Sequence, residues 1–433
     1  MQLNKSRFAI GKLLTAVSMT VILGAGAWAA GPPKVLLAFP GRPFSDGLAP
    51  ESNLIFDAKG NLYGTTYAGG SGCVFGCGTV FELKHNADGS FSEIVLHRFD
   101  AGDGQNPDEA SVIFDAAGNL YGTAREGGSS GSGVVYELSP NRDGSWTETV
   151  LHNFSGMDGA ELRGGLVFDA KGNLYGTASG GGTGTGCVGG NGCGVVFKLT
   201  HSSHGWTASV LHNFTNNHHD GFSPQGTLVF DGKGNLYGAT FLGGTSSQGG
   251  GTVFKLTPGS HGLWKETVLY SFKSGRDGAS PYSGVVFDKA GNLYGTTVGG
   301  GDQTGSGTVF KLTPKPSGGW TESIIHRFTG FADPGGSYPY GGLLVDAAGN
   351  LYGTTESGGG NGGSNCEFGC GTVYKLSLSK SGTWKETTLA AFEDGNNGGH
   401  PLAGLVSDGQ GNLYGSAAFL GSGSAGVVFE VKH

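Results

Sequence analysis

Five residues, Gly-Asn-Leu-Tyr-Gly, occur seven times in this chain, beginning at Gly60, Gly118, Gly172, Gly234, Gly291, Gly349 and Gly411. The intervals are 58, 54, 62, 57, 58 and 62 residues. Self-similarity at a period of this length means one supersecondary unit copied in tandem, each copy burying its apolar face against the next. The copy from Gly165 to Phe214 shows the unit. Leu166-Val167-Phe168 is apolar on both parities, as in a strand covered on both faces. Asp169-Ala170-Lys171-Gly172-Asn173 is a turn, because Asp bonds its own backbone and Gly tolerates positive φ. Leu174 to Thr177 is a second strand, followed by a long glycine-rich loop. Val195 to Leu199 is a third strand. Trp206 to Phe214, with Thr and Ser interleaved, is a more solvated fourth.

Four antiparallel strands repeated every 57 residues or so suit a propeller. The chain ends support this. The last copy stops after its third strand, at Val427 to Val431, while Val35 to Phe39 resembles the missing fourth; Val150 to Phe154 is the model for it. Pairing these segments closes a ring and removes two free sheet edges, which otherwise invite aggregation. The expected fold is therefore all-β: a seven-bladed β-propeller, four antiparallel strands per blade, closed by the N-terminal strand. A β-solenoid or a tandem array of sandwiches is the competing arrangement.

The long motif Leu-Val-Phe-Asp-x-x-Gly-Asn-Leu-Tyr-Gly-Thr-Thr, then Gly-Gly, then Gly-Thr-Val-Phe-Lys-Leu, resembles the bacterial "GloVer" tandem repeat. Proteins with it are described as choice-of-anchor, because varied C-terminal sorting segments follow the repeats. The resemblance covers nearly all of the chain after its leader and implies no activity. It departs from the pattern in one respect: the sequence ends at His433 inside the repeat, with no sorting segment.

Residues 1–29 read as a secretory signal. Lys5, Arg7 and Lys12 precede an apolar run from Leu13 to Ala27, and Ala27-Trp28-Ala29 offers small residues for cleavage after Ala29. An uncleaved anchor is the rival reading, but the run is short for a membrane span, and no later run is long enough. Residues 30–433 are then one propeller domain, expected outside the cytoplasm as a monomer. Removing the leader leaves 23 basic residues against 34 acidic ones, a balance of −11. The basic residues are scattered, so nothing neutralises a phosphate backbone and nucleic acid is not an expected partner. The six cysteines form three close pairs, Cys73/Cys77, Cys187/Cys193 and Cys366/Cys370. In a secreted chain these read as disulfides within loops. Metal binding would need histidines at ligand spacing beside them, and there are none.

Strand alternation puts the loops between second and third strands on one face, together with the connections between blades. The cysteines and most length variation lie there, and function usually resides where loops vary on a rigid scaffold. The recurring Asp57, Asp115, Asp169, Asp231, Asp288, Asp346 and Asp408 fall once per blade. Calcium needs six to eight oxygens around one point, so these read as turn caps. The Asp-Gly set at Asp46, Asp103, Asp158, Asp220, Asp277 and Asp394 reads likewise. His97, His152, His212 and His326 share one register of the fourth strand, where Tyr270 replaces them once, and so serve the repeat. There is no Gly-x-Ser-x-Gly elbow on a strand-to-helix turn and no helix to carry one, and neither His-Glu-x-x-His nor a phosphate loop is present. No metal or cofactor is expected.

One position departs from the repeat. The residue after Gly-Thr-Thr is Tyr67, Arg125, Ser179, Phe241, Val298, Glu356 or Ala418. These leave the second strand toward the variable face and are expected to ring the channel mouth. Tyr67, Arg125, Phe241 and Glu356, with Glu126 and His400, are the candidate ligand-binding residues. Arg163, His218 and His219 are further irregular groups on that face. Aromatic area beside charge suits a glycan, a small polar molecule or a protein ligand. The expected function is non-catalytic binding or scaffolding. The alternative is an extracytoplasmic lyase or hydrolase acting on carbohydrate or peptide, with Arg125, Glu126, Glu356 and His400 converging on one cleft.

Overall fold

Each copy of the repeat folds as one antiparallel sheet, and seven sheets stand around an axis. In the computed structural model the described residues are 30–41, 46–107, 109–187, 190–246, 249–331, 334–360 and 364–433. The expected leader, residues 1–29, lies outside them. The first blade runs outward from the axis as Ile55–Phe56, Leu62–Thr66, Thr79–His85 and Phe91–Arg98. The second strand is buried throughout, and the third is buried from Thr79 to Phe81 and at Leu83 but emerges at Lys84 and His85. The fourth alternates between half-buried and exposed, as an edge strand with one wet face should. Lys34–Ala38 pairs with Val427–Lys432, placing Val35 opposite Phe429 and Ala38 opposite Val427. The N-terminal strand thus completes the seventh blade.

The core lies between blades. A third-strand aromatic of each blade meets, edge-on, the Phe that follows the preceding blade's fourth strand. The seven pairs are Phe39–Phe81, Phe99–Tyr136, Phe154–Phe197, Phe214–Phe254, Phe272–Phe310, Phe328–Tyr374 and Phe392–Phe429, with centroids 4.9–5.4 Å apart. Such pairs contribute about 0.5–1.5 kcal/mol each beyond their area. They also explain the last glycine of the motif: a Cβ on Gly295 would lie 2.6 Å from the Phe310 ring. The Asp turn is satisfied from within. Asp169 Oδ1 accepts the amides of Lys171 and Asn173, and Oδ2 accepts the Asn173 side chain and the Tyr175 hydroxyl. The motif's Asn and Tyr are there to cap this carboxylate.

The innermost strand is shorter than its apolar run. In the third blade only Val167–Phe168 pairs, without Leu166. The backbone just upstream turns to its neighbour instead. Gly165 donates its amide to Thr227 Oγ1 at 3.0 Å, and Thr177 donates to the Gly226 carbonyl at 3.2 Å. The same inter-blade bond recurs from Thr123 to Gly164, Thr296 to Gly341, Thr354 to Ala403 and Ser416 to Ser52. Crowding at the axis diverts these groups from their own sheet. The fourth blade adds a further pairing, Gly221–Pro224 against Leu236–Gly243.

The residue three places after the motif's Tyr covaries with its cross-strand partner. Thr66, Thr240, Thr297 and Thr355 face Thr79, Thr252, Thr308 and Thr372, hydroxyl to hydroxyl at 2.8–2.9 Å. Where the strand ends in Ala124, Ala178 or Ala417, the partner is Val134, Val195 or Val427. A buried hydroxyl needs a partner, and two apolar groups need none.

Candidate binding site at the channel mouth

The three expected disulfides are present: Cys73–Cys77, Cys187–Cys193 and Cys366–Cys370, each inside a loop between second and third strands. Two of these loops hold Phe75 and Phe368 more than half exposed, and Phe368 stacks on Phe331 with centroids 4.4 Å apart. The connections between blades share this face. Their aspartates bind the fourth-strand histidines: Asp103 to His97 at 2.9 Å, Asp158 to His152 at 2.7 Å and Asp220 to His212 at 3.2 Å. Where Tyr270 replaces His, its hydroxyl donates to Asp277 at 2.9 Å. In four of the connections the two recurring sets therefore meet in one structural contact that fastens the connection to a blade, whereas Asp394 instead accepts from Ser364 and Asn365 and Asp46 pairs with Arg98.

Inside this face lies an axial cavity of about 380 Å³. Each blade contributes the residue six positions before its turn Asp: Glu51, Glu109, Arg163, Gln225, Tyr282, Tyr340 and Leu402. Arg163 Nη1 lies 3.4 Å from Glu109 Oε1 and donates to the Tyr282 hydroxyl at 3.3 Å. That hydroxyl donates in turn to Glu109, tying the second, third and fifth blades together across the channel. The Tyr340 ring meets Tyr282 edge-on at 4.9 Å, and burial pushes its hydroxyl pKa up, with the Glu356 charge adding to the shift. Cavities of this size with a few fixed polar groups among apolar walls are the usual form of small-ligand sites.

The residues chosen from sequence stand one strand farther out. Phe241 touches the axial ring, edge-on to Tyr282 at 5.7 Å. The Tyr67 carbonyl accepts the Asn106 side-chain amide at 2.9 Å. Arg125 lies between two carboxylates, 3.7 Å from Glu126 and 3.9 Å from Glu161. Glu126 and Glu161 line a depression over the second and third blades with Met157 and Asn191. Glu356 and His400 come together at 3.9 Å in a different depression between the sixth and seventh blades. Burial raises the Glu356 carboxyl pKa and lowers that of His400. The structure thus pairs Arg125 with Glu126 and Glu356 with His400, and Glu126 stands in a different hollow from Glu356 and His400. Arg163 belongs to the axial ring. The other ring members were missed, although counting back six from each turn Asp exposes a mixed set, Glu, Glu, Arg, Gln, Tyr, Tyr, Leu, beside a constant apolar stretch.

Among the described residues no group of three or more His, Cys, Asp or Glu is arranged to hold a metal, and no helix is long and apolar enough to cross a membrane. The model of the Gloeobacter/Verrucomicrobia repeat matches residues 29–188 and 245–433. No curated protein matches the chain. A crystal structure of a protein of unknown function from Dyadobacter fermentans DSM 18053 aligns at 10% identity and a TM-score of 0.44, covering 93% of this chain and 98% of its own.

Proposed function

The chain belongs to the Gloeobacter/Verrucomicrobia repeat family, and we propose that it is a secreted, monomeric, non-catalytic binding propeller taking a glycan or another small polar molecule at its channel mouth. Cleavage after Ala29 would release residues 30–433 as one domain outside the cytoplasm, where the three disulfides are stable. The observation that carries the binding role is the axial ring. Seven blades built to one pattern place seven side chains of five kinds around one cavity, while the residue that follows each is always Ser, Ala or Gly. Tyr282 and Tyr340 offer flat apolar area, and Glu109, Arg163 and Gln225 offer donors and acceptors. Tyr67, Arg125, Phe241, Glu356, Glu126 and His400 form the outer rim. Arg125 with Glu126, and Glu356 with His400, form two separate pairs and do not converge on one cleft, which favours binding over a lyase or hydrolase.

A glycan array probed with the purified protein tests this. Binding should be lost in Tyr282→Ala with Tyr340→Ala, and weakened when Tyr67, Arg125, Phe241 and Glu356 are all changed to Ser or Ala. Ser179 and Ala418 already occupy the latter position in other blades, so folding should survive. A ligand held equally well by both variants would overturn the proposal.

A further inference from the structure

We infer that the ligand is a chain of neutral sugar units running from the axial cavity out over the groove between the sixth and seventh blades; the inference rests on the glycan reading above. That groove has a volume of about 420 Å³ and is walled by Glu356, Asn365, His400 and Phe419. Phe419 is 47% exposed, yet its backbone is fixed by paired hydrogen bonds with Gly399 at 2.9 and 3.1 Å. An exposed ring on a rigid backbone is a ready platform that loses little conformational freedom on binding. The Asn365 side chain is oriented by Asp394, 2.6 Å away. Glu356 and His400 are 3.9 Å apart, longer than a direct hydrogen bond, so an approaching hydroxyl can bridge them from the side.

Groove and axial cavity adjoin through one residue. The Tyr338 carbonyl accepts both the Glu356 amide and the Tyr340 amide at 3.0 Å. Glu356 walls the groove and Tyr340 walls the cavity, so one stretch of backbone carries both. Each compartment offers an aromatic ring beside polar side chains. That combination suits a sugar, with its apolar C–H face and hydroxyl rim, twice in succession. A peptide strand is disfavoured because the backbone at Gly399 and Phe419 is already paired and offers no free edge. An anionic chain is disfavoured because Glu51, Glu109 and Glu356 outnumber Arg163, the one Lys or Arg walling these two compartments among the described residues, and burial disfavours the charged form of His400.

The test is calorimetric titration of the full secreted protein with linear neutral oligosaccharides of one to six units, in cello-, xylo-, manno- and chito- series. In the series that binds, affinity should rise at least tenfold from one unit to four. Phe419→Ala should remove that gain, so the four-unit ligand binds no better than the one-unit ligand. Glu356→Gln should reduce it while leaving thermal unfolding unchanged. Affinity that is flat with length, or a gain that survives both variants, overturns the extended site but leaves the axial reading standing. Failure of every neutral sugar to bind overturns the inference, while the axial reading is decided by the glycan array with the Tyr282 and Tyr340 variants.

Discussion

Thr297 and Thr308 make the repeat's internal covariation measurable. Both are fully buried, and their hydroxyls are 2.8 Å apart. Thr297 also donates to the Gly299 carbonyl at 2.9 Å, which leaves its oxygen to accept from Thr308. Thr297→Ala strands the Thr308 hydroxyl in a dry interface. A buried unsatisfied donor costs about 1–3 kcal/mol, and the lost methyl adds to it. Thr308→Val removes one acceptor's partner and leaves the Thr297 donor satisfied, so it should cost about 1 kcal/mol. The double variant strands nothing, because the Gly299 carbonyl also accepts the Ala279 amide at 2.8 Å. It reproduces the Ala–Val pair of three other blades. The double variant should therefore be more stable than the sum of the singles predicts by about 1–2 kcal/mol. Denaturant unfolding followed by tryptophan fluorescence, with slopes checked for a common transition, gives the four values. If the singles add to within about 0.5 kcal/mol, the hydroxyl pair is not the reason for the covariation.

Deleting residues 30–39 should expose the edge of Val427–Lys432 and leave Phe81 without Phe39, giving self-association visible by light scattering; a stable monomer would refute the role of the closing strand. Burial, reinforced by the Asp220 charge, pushes the Glu266 carboxyl up to about 7, and Glu93 and Glu148 shift similarly. The folded state then holds protons that the unfolded state has released, so stability present below the unfolded value is lost as pH rises through about 7. Glu266→Gln should flatten part of that fall between about pH 5 and pH 8, and a parallel decline in the variant would count against it. Partial burial pulls the Asp169 carboxyl upward, but the hydrogen bonds from Asn173, Lys171 and Tyr175 outweigh it and hold it low, so this group's contribution is lost only in stronger acid. Reducing the disulfides should cost roughly 2 kcal/mol each in the chain-entropy model and speed hydrogen exchange in their loops alone; collapse of the ring on reduction would show that they do more.

The seven-blade ring, its closure by Val35 to Phe39 and the three disulfides were legible because each is one-dimensional information: a period, a missing piece and a close pair. The innermost strand was overextended because apolar character at Leu166 reports burial, and burial at the axis comes from the next blade as much as from the sheet. The histidine and Asp-Gly sets were legible as structural, but their mutual contact was not, since it joins six- to eight-residue separations through a turn. Tyr270 standing for His was the available clue. At the site, the outer rim could be read from deviation at one position after the second strand. The axial ring deviates just as clearly six residues before Asp169 and its counterparts. It went unread because it lies next to a connection whose length varies, where alignment from the preceding motif slips by a residue.

The way the ring closes also decides how it would fail under load. Lys34 lies opposite Glu430, and the two strands run antiparallel, so both ends of the chain leave the seventh blade on the same side. Tension applied between those ends acts on the first pair of residues, then the next, as in opening a zip. It never loads the pairs together, as shear along the strands would. The molecule therefore has one seam that yields to a small pull from its ends, while the same pull applied across any other blade meets strands already joined to their neighbours by turns.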